Sequence, residues 1–487
     1  MKQNTTIRPW AALWTLVLGF FMILVDTTIV SVANPTIMRG LDTTMTATLW
    51  ATSAYLLAYA VPLLITGRLG DRFGPRRVYL VGLATFTIAS LMCGLAPNIE
   101  TLIAARALQG IGASCMTPQT MSVITRIFPP NQRGSAMAIW GVTAGVAMLV
   151  GPILGGFLLG AVGWEWIFFI NVPVGVVAFW LTMRNVPVLP TNAHRFDILG
   201  VVLSALGTFL VVFGIQEGET FDWGTMWGPV SIWGLIITGV IVLALFVVWQ
   251  KVQRGEPLMP LIMFSDRNFS VGSIAIMLVG LTTTALALPL MFYLQLVRGL
   301  TPAQSALMLL PQAVLSIILA RPIGKLVDRR DSRRVNTLGL TLQGIGIASY
   351  VPLMLGEGHI ALLLIPSTIL GVANSMMWGP LASITMYNVN PVHAGAASGV
   401  YNTSRQLGAV LGSAAMAMLM SARLSSKLGE DAGIGTETVG QLAEQFRDGY
   451  AEAMAQSILL PAVAIIIGAI VTLWFAPRPK EDAVTSV

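Results

Sequence analysis

The stretch GRLGDRFGPRR, residues 67–77, has a second copy later in the chain, GKLVDRRDSRR at residues 324–334. Both copies contain Gly, a basic residue, Leu, a variable residue, Asp and Arg, and both end in a pair of arginines. Each copy is a short charged segment between two long apolar runs. Internal repeats are typical of transporters whose two halves enclose a central site. The repeat therefore predicts two related halves in one chain.

The apolar runs around the two copies indicate a protein that crosses a membrane many times. Of the 487 residues, 55% are hydrophobic and 10% are charged, whereas globular proteins average about 25% charged residues. This composition excludes a soluble enzyme, a disordered scaffold and a nucleic-acid-binding protein. A membrane-spanning helix needs about 20 mostly apolar residues. We predict an all-α membrane protein with fourteen spans, at residues 10–33, 48–67, 77–96, 99–123, 134–160, 164–184, 197–216, 228–250, 269–294, 302–324, 333–355, 359–385, 398–422 and 455–476.

The position of the repeat divides the predicted spans into six, two and six. We expect an N-terminal six-helix bundle over residues 1–184 and two extra transmembrane helices with flanking cytoplasmic loops over 185–268. A C-terminal six-helix bundle with a short cytoplasmic tail then covers residues 269–487. Of the 28 Lys and Arg residues, 20 fall on the side that contains both termini and 5 on the other side. Because positively charged loops stay in the cytoplasm, we expect a multi-pass protein of the inner or plasma membrane with both termini in the cytoplasm.

Five motifs in chain order resemble those of the major facilitator superfamily. They are LVDTTIVSVANP at 24–35, the first repeat copy at 67–77, RALQGIGAS at 106–114, GPILGG at 151–156 and WEWIFFINVPVG at 164–175. Together they are similar to the fourteen-span drug:proton antiporter subfamily, which includes the QacA- and EmrB-type multidrug efflux pumps. The resemblance covers nearly the whole chain and implies the major facilitator fold, with two six-helix bundles plus two inserted helices. The chain departs from this pattern at Glu165, where the subfamily usually has a basic residue, and in having no acid in the thirteenth span.

The sequence indicates an ion gradient as the source of energy. It contains no Gly-x4-Gly-Lys-Ser/Thr loop to hold the phosphates of ATP. The histidines, His194, His359 and His393, are dispersed, so we expect no metal site. We expect no cofactor besides the proton gradient and no catalytic residues, because nucleophiles, bases and metal ligands do not cluster in the sequence.

Asp26 and Arg106 are the predicted proton-coupling residues. Asp26 is the one carboxylate deep within a predicted span, and charged residues inside the membrane are functional candidates by default. Asp26 precedes the outer end of its span by as many residues as Arg106 follows the outer start of its own, so both lie roughly 10 Å from that boundary. The pair is either a proton carrier with its cation or an ion pair that fixes two helices together. Arg106 fits both roles.

The first repeat copy supplies the predicted gate. Membrane topology accounts for its arginines but not for Asp71 among them, and an aspartate at a helix terminus can hold a partner helix. The resemblance implies a latch that stabilises an outward-facing state. Glycines in the fifth span permit either close helix packing or hinge motion, and a proline there kinks the helix locally. The predicted gate and conformational residues are Gly67, Asp71, Arg72, Gly74, Arg76, Arg77, Gly151, Pro152, Gly155 and Gly156.

Aromatic and polar residues in several spans are candidates for a substrate cavity between the halves. For each of them, packing in the core or contact with lipid is an equally good alternative. Arg405 is the charged residue of this set, and its polar neighbours Asn402, Ser404 and Gln406 would satisfy it in a packing role. Arg321, close to a span end, is expected to reach the membrane interface. The predicted cavity residues are Trp50, Tyr55, Tyr59, Tyr293, Gln295, Asn374, Trp378, Tyr401, Asn402 and Arg405.

These features favour proton-coupled export of small amphipathic or cationic drugs by alternating access. The alternative is dedicated export of one endogenous metabolite or lipid by the same mechanism. A membrane-embedded enzyme is disfavoured, because it needs clustered catalytic groups at one depth. The expected partners are a small-molecule substrate and the lipid bilayer, with no nucleic acid. We expect a functional monomer, and the sequence leaves open whether a periplasmic accessory protein joins it.

Overall fold

The structure is a computed structural model, and it describes residues 8–191, 197–218, 220–253, 256–329, 332–356, 358–428 and 444–477. Most of these residues lie in helices, as the sequence predicts. The exception is a short antiparallel ribbon between two of the helices, formed by β1 (Thr225–Trp227) and β2 (Val230–Ser231).

The first half contains eight helical segments within residues 8–191, because two of its six predicted spans are each divided in two. The first division falls at Val61 and Pro62, where the two helices meet at a bend of 45°. The segments are α1 (Pro9–Gly40), α2 (Met45–Ala60), α3 (Leu63–Phe73), α4 (Pro75–Gly94), α5 (Ile99–Ile127), α6 (Pro130–Ala161), α7 (Trp166–Phe169) and α8 (Asn171–Asn185).

Two helices, α9 (Ile198–Glu217) and α10 (Ile232–Val252), lie between the halves in sequence and pack against each other. Asp197 joins their ends, because its carboxylate accepts hydrogen bonds from Trp249 Nε1 at 2.8 Å and Gln250 Nε2 at 2.7 Å. The carboxylate of Asp197 therefore holds the two inserted helices together.

The second half repeats the arrangement of the first. Its longer helices begin after a short 3-10 turn at Leu261–Ser265, and a π-helical turn at Tyr293–Val297 ends the first of them. The segments are α11 (Arg267–Phe292), α12 (Pro302–Leu307), α13 (Leu310–Arg329), α14 (Ser332–Ala348), α15 (Tyr350–Leu355), α16 (Leu364–Thr385), α17 (Ala394–Leu428), α18 (Glu444–Ser457) and α19 (Leu459–Thr472).

Each of the fourteen predicted spans overlaps a helix of the structure. Among the described residues, however, eleven helices are long and apolar enough to cross a membrane, or twelve if the bent pair α2 and α3 is one span. Helix α5 is not among the eleven, although it is long. It carries many buried polar side chains, such as Arg106, Gln109 and Gln119, which lower its hydropathy. The count of fourteen membrane crossings therefore stays a prediction.

The two halves meet along a surface that we term the seam. Helix α6 of the first half contacts α13 and α16 of the second, and α17 of the second half contacts α3 and α5 of the first. The inserted helix α9 touches α2 and α17, so the insert lies beside one edge of the seam. Inside the first half, Phe20 stacks on Trp140 with ring centroids 5.1 Å apart, which ties α1 to α6.

At one end of the molecule, which we term the repeat side because both repeat copies lie there, glycines bring the seam helices close together. A Cβ atom on Gly67 would lie 3.0 Å from Gly399 Cα, and one on Gly324 would lie 2.7 Å from Ser135 Cα. In each case a side chain larger than hydrogen would push the halves apart. The repeat side of the seam is therefore closed in this structure.

Candidate functional site

Asp26 lies at the centre of a buried cluster built from three helices of the first half. Its Oδ2 atom accepts a hydrogen bond from Arg106 Nη1 at 2.6 Å. Its Oδ1 atom accepts from Gln109 Nε2 at 2.9 Å and from Asn171 Nδ2 at 2.8 Å. Arg106 and Gln109 stand one turn apart on α5, and Asn171 begins α8. The expectation that Asp26 and Arg106 lie at one depth is confirmed by this contact.

The surroundings of Arg106 complete the cluster. Its guanidinium group lies over the Tyr55 ring, 4.0 Å from the ring centroid, and Nε donates to the Ala51 carbonyl oxygen at 3.4 Å. Asp26 and Arg106 are both 0% exposed. Within the described part of the chain, the hydrogen-bond and ring partners of the pair all lie in the first half. A proton added to Asp26 Oδ2 would remove the ion pair with Arg106.

Asp71, in contrast, joins the two halves on the repeat side. Its carboxylate accepts hydrogen bonds from the backbone nitrogens of Gly395 and Ala396, each at 2.9 Å. These N–H groups belong to the first turn of α17, where unpaired donors and the positive end of the helix dipole favour an anion. Arg126 donates to the same carboxylate from α5, and Arg68 Nη1 lies 3.9 Å away. The predicted contact of Asp71 with a partner helix is confirmed.

Asp328, in the second repeat copy, makes the corresponding contact in the opposite direction. Its Oδ1 atom accepts from the Gly134 backbone nitrogen at 2.8 Å, and its Oδ2 atom accepts from the Ser135 nitrogen at 3.2 Å and hydroxyl at 2.5 Å. Both partners lie near the start of α6. Each half therefore uses the aspartate of its repeat copy to bind a helix of the other half. We did not predict Asp328 as a site residue, although its position in the repeat was the signal for it.

The other predicted residues of the first repeat copy have separate surroundings. Gly74, between α3 and α4, has a φ of +92°, a left-handed conformation that favours glycine. Arg76 donates to the Met183 carbonyl oxygen on α8. The Arg72 guanidinium lies 5.2 Å from the ring centroid of Phe73, and Arg77 is exposed. Among these residues, Asp71 and Gly67 are the ones that contact the seam.

Two of the predicted glycines of α6, Gly151 and Gly155, lie against α1 and not against the other half. A Cβ atom on Gly155 would lie 2.9 Å from Ile29 Cγ1, and one on Gly151 would lie 2.9 Å from Thr28 Cβ. The predicted close approach is therefore confirmed for these two positions. It is wrong for Gly156, where an added Cβ would meet no atom within 4 Å. The side chain of Pro152 lies outside the described part of the chain, and the hinge role stays a prediction.

The structure separates the predicted cavity residues into several groups. Tyr55 belongs to the Asp26 cluster and stacks on Tyr59, with ring centroids 6.1 Å apart. Trp50 was predicted to line a cavity between the halves, but its ring faces Phe213 of the inserted helix α9 at 5.8 Å. Tyr293 bonds inside the second half, where its hydroxyl accepts from Arg298 Nε at 2.8 Å.

Three further members of the predicted set come from α16 and from the π-helical turn. Trp378 packs closely on Gly141 of α6, so it lies at the seam. Asn374 is buried one turn earlier on the same helix, and Gln295 is half-buried in the π-helical turn. Contact of Asn374 and Gln295 with a substrate stays a prediction.

In the packing alternative for Arg405, its hydrogen-bond partners were its polar neighbours on α17, but the described residues show no such hydrogen bond. Its Nη2 atom instead donates across the seam to the Tyr59 hydroxyl at 3.3 Å. The Tyr59 hydroxyl in turn donates to Thr117 Oγ1 at 3.1 Å. Asn402 uses its amide nitrogen for the Ser398 carbonyl oxygen at 2.9 Å. Sequence spacing reveals neighbours on one helix but not partners on another, which is why the contact was missed.

Two remaining expectations concern the membrane-facing arginine and metal binding. Arg321 is exposed and lines a cleft of about 440 Å³ with Trp10, Trp14 and Lys325, in keeping with a side chain that reaches the membrane interface. Within the described residues, no three His, Cys, Asp or Glu side chains come together in a way that suits a metal ion.

Comparison with known proteins adds to this geometry. The model of the Major Facilitator Superfamily matches residues 16–413. An uncharacterised MFS-type transporter of Mycobacterium tuberculosis is 47% identical over 491 residues, covering 98% of this chain and 84% of the relative. The tetracenomycin C resistance and export protein of Streptomyces glaucescens is 32% identical, covering 86% of this chain and 77% of the relative. A crystal structure of a human organic anion transporter matches with a TM-score of 0.62 at 13% identity, covering 94% of this chain and 99% of that one. At that identity the structural match concerns the fold alone.

Proposed function

The chain belongs to the major facilitator superfamily, and we propose that it is a proton-coupled exporter of small amphipathic molecules that works by alternating access. Membership confirms two predictions: the chain has the major facilitator fold, and it is a multi-pass membrane transporter and not an enzyme. A relative that is named as an antibiotic resistance and export protein supports the outward direction of transport.

The observation that carries the proposal is the buried carboxylate of Asp26. It is 0% exposed and accepts hydrogen bonds from three side chains of its own half. Such a group has two distinct forms, because protonation cancels the ion pair with Arg106 and deprotonation restores it. A charge that appears and disappears inside the membrane is what a pH gradient needs in order to act on the protein.

The helix contacts around Asp26 connect its protonation to the helices that form the seam. Thr28 and Ile29 follow Asp26 on α1 and lie against Gly151 and Gly155 of α6. Helix α6 forms the seam with α13 and α16. When Asp26 loses its charge, α1 is released from Arg106 on α5, and the contact between α1 and α6 is free to shift. Protonation then changes the balance between two arrangements of the seam.

The gate itself is the pair of repeat contacts. Asp71 binds the start of α17, and Asp328 binds the start of α6. Because positively charged loops mark the cytoplasmic side, we place the repeat side in the cytoplasm, together with both termini. This structure then corresponds to a state closed towards the cytoplasm.

The motifs support assignment to the fourteen-span drug:proton antiporter subfamily, in a protein that functions as a monomer.

Uphill transport in everted membrane vesicles tests the proposed function. The vesicles contain the protein at known abundance, and the lumen is made acidic before a fluorescent neutral amphipathic probe is added outside. We expect the probe to accumulate in the lumen and to leave when an ionophore collapses the pH gradient. Vesicles with the Asp26→Asn variant, matched for inserted protein, serve as the control. Accumulation that survives collapse of the gradient, or that requires ATP, contradicts the proposal.

A further inference from the structure

We propose that Arg405 binds the acidic group of the transported molecule, so that the exporter selects amphipathic compounds that carry a carboxylate or another oxyanion. This inference rests on the proposed export function and replaces the expectation of cationic drugs. It follows from the position of the charged side chains relative to the seam.

The contact of Asp71 with the backbone of Gly395 and Ala396 is termed the latch. Helix α17 runs from the latch along the first half towards the middle of the membrane. Gly395 lies at the latch, and Ser398 Oγ donates to the Pro118 carbonyl oxygen at 2.8 Å. Arg405 lies about 15 Å beyond Gly395 along the helix, and there it reaches the Tyr59 hydroxyl of the first half. Arg405 is therefore positioned on the seam, on the membrane side of the contacts that close the repeat side.

The charge of Arg405 is not neutralised by the protein. Within the described part of the chain Arg405 makes no ion pair, whereas Arg68, Arg106 and Arg126 are each paired with an acid. Its side chain is half-buried, so it is accessible from within the seam. A guanidinium group has five N–H donors in a planar fork that fits a carboxylate with two parallel hydrogen bonds. One of these donors is directed to Tyr59, and the others remain for a ligand.

Two neighbours of Arg405 add unsatisfied polar atoms on the same face of α17. Tyr401 stands one turn before Arg405, and its hydroxyl is buried without a hydrogen-bond partner. Asn402 likewise has a buried Oδ1 atom without a partner. Buried polar atoms are normally hydrogen-bonded. A substrate oxyanion supplies an acceptor for Arg405 and Tyr401, and a hydroxyl or N–H group of the same substrate supplies a donor for Asn402.

The acids near this surface are not available to a cation. Asp26 is enclosed in the first half, with both oxygens occupied and no exposed surface. Asp71 and Asp328 each bind the start of a helix of the other half. A positively charged substrate would therefore meet the uncompensated charge of Arg405 and no free carboxylate. The electrostatics of the seam favour an anionic group and disfavour a cationic one.

Equilibrium binding to the purified full-length protein in lipid nanodiscs tests this inference without a proton gradient. The probes are dansyl-phenylalanine, its methyl ester and dansylcadaverine, which carry an anionic, a neutral and a cationic group on related fluorescent scaffolds. We expect the carboxylate to bind at least tenfold more tightly than the ester, and the cation to bind most weakly. Arg405→Gln is expected to remove this preference while the affinity for the ester changes less than twofold, and Arg405→Lys is expected to retain part of it.

The matched control is Arg184→Gln, which removes an exposed arginine that lies over the Trp180 ring of its own helix α8, and it is expected to keep the wild-type pattern. Wild-type protein that binds the carboxylate no better than the ester, or the cation as tightly as the carboxylate, overturns the inference. So does an equal loss of all three affinities in Arg405→Gln. The wild-type comparison decides the matter even if the variant fails to fold. Selective binding of the carboxylate by a protein that does not pump would refute the proposed function and leave this inference standing.

Discussion

Asp26 and Asp71 have similar chemistry and opposite placement. Asp26 takes all its hydrogen bonds from the first half and is 0% exposed. Asp71 reaches across the seam to the backbone of Gly395 and Ala396. In the proposed cycle, the contacts of Asp71 across the seam break and form again in each turnover, whereas those of Asp26 change with its protonation inside one half. Removing the buried cation that Asp26 pairs with is therefore expected to reduce stability, whereas removing the charge of Asp71 is expected to change the rate of transport.

The largest expected effect comes from removing the cation inside the first half. Arg106→Ala leaves the buried carboxylate of Asp26 without its ion pair, and breaking such a pair costs about 3–5 kcal/mol of stability. Denaturant unfolding in detergent, monitored by tryptophan fluorescence, measures this loss. Arg405→Ala is the comparison variant and is expected to lose about 1.5 kcal/mol or less, because it removes one long hydrogen bond of a half-buried side chain and no ion pair. Equal losses of unfolding free energy in the two variants would contradict the distinction between contacts inside a half and contacts across the seam.

The next effect concerns the latch. Asp71→Asn removes the charge that the start of α17 and Arg126 attract, but it keeps an oxygen that accepts hydrogen bonds. We expect an inserted protein of nearly wild-type stability whose turnover is slower by roughly tenfold, equivalent to about 1.4 kcal/mol in the gate equilibrium. Initial rates of export at equal expression measure it. Asp328→Asn is expected to slow transport comparably, since Asp328 binds the start of α6 in the corresponding way. Wild-type rates in both variants would exclude the latch role.

A local effect on stability, without a change in the gate, distinguishes two adjacent glycines of α6. Gly155→Ala places a methyl group 2.9 Å from Ile29 Cγ1, and overpacking of this kind costs about 1–3 kcal/mol. Gly156→Ala meets no atom within 4 Å, and alanine favours a helix over glycine by about 1 kcal/mol. Thermal unfolding of the two purified variants should therefore shift in opposite directions. A loss of stability in Gly156→Ala as large as in Gly155→Ala would contradict this description of the α1–α6 contact.

Pairing of Asp26 with Arg106 was predictable because helical rise and membrane thickness fix the depth of a residue within its span. Depth does not determine which helices are neighbours. The bond from Gly395 to Asp71 joins residues that are 324 positions apart, and no local pattern indicates it. The repeat gave the nearest signal, since it shows that Asp328 must have a role equivalent to that of Asp71.

Errors in the predicted cavity have the same origin. Trp50 was assigned to the space between the halves, but the inserted helix α9 covers it. The sequence shows that two helices are inserted, and it does not show beside which edge of the seam they pack. Arg405 was included in the cavity set as a group satisfied by its own helix or by a substrate, and its partner Tyr59 lies in the other half. Residue type and spacing thus identified candidate groups, while contacts between distant helices decided their placement.

The central claim is that Asp26 carries the transported proton, and proton movement in proteoliposomes tests it most directly. Purified wild-type and Asp26→Asn proteins are reconstituted with a pH-sensitive dye inside, and transport of the dansyl-phenylalanine methyl ester is followed together with luminal pH. We predict that the wild type moves protons against the probe. Asp26→Asn should move no protons and lose uphill transport, while downhill exchange of the neutral probe persists and Asp26→Glu retains partial coupling. Full uphill transport per folded Asp26→Asn molecule would contradict the claim and leave Asp26 as an ion pair that fixes α1 to α5.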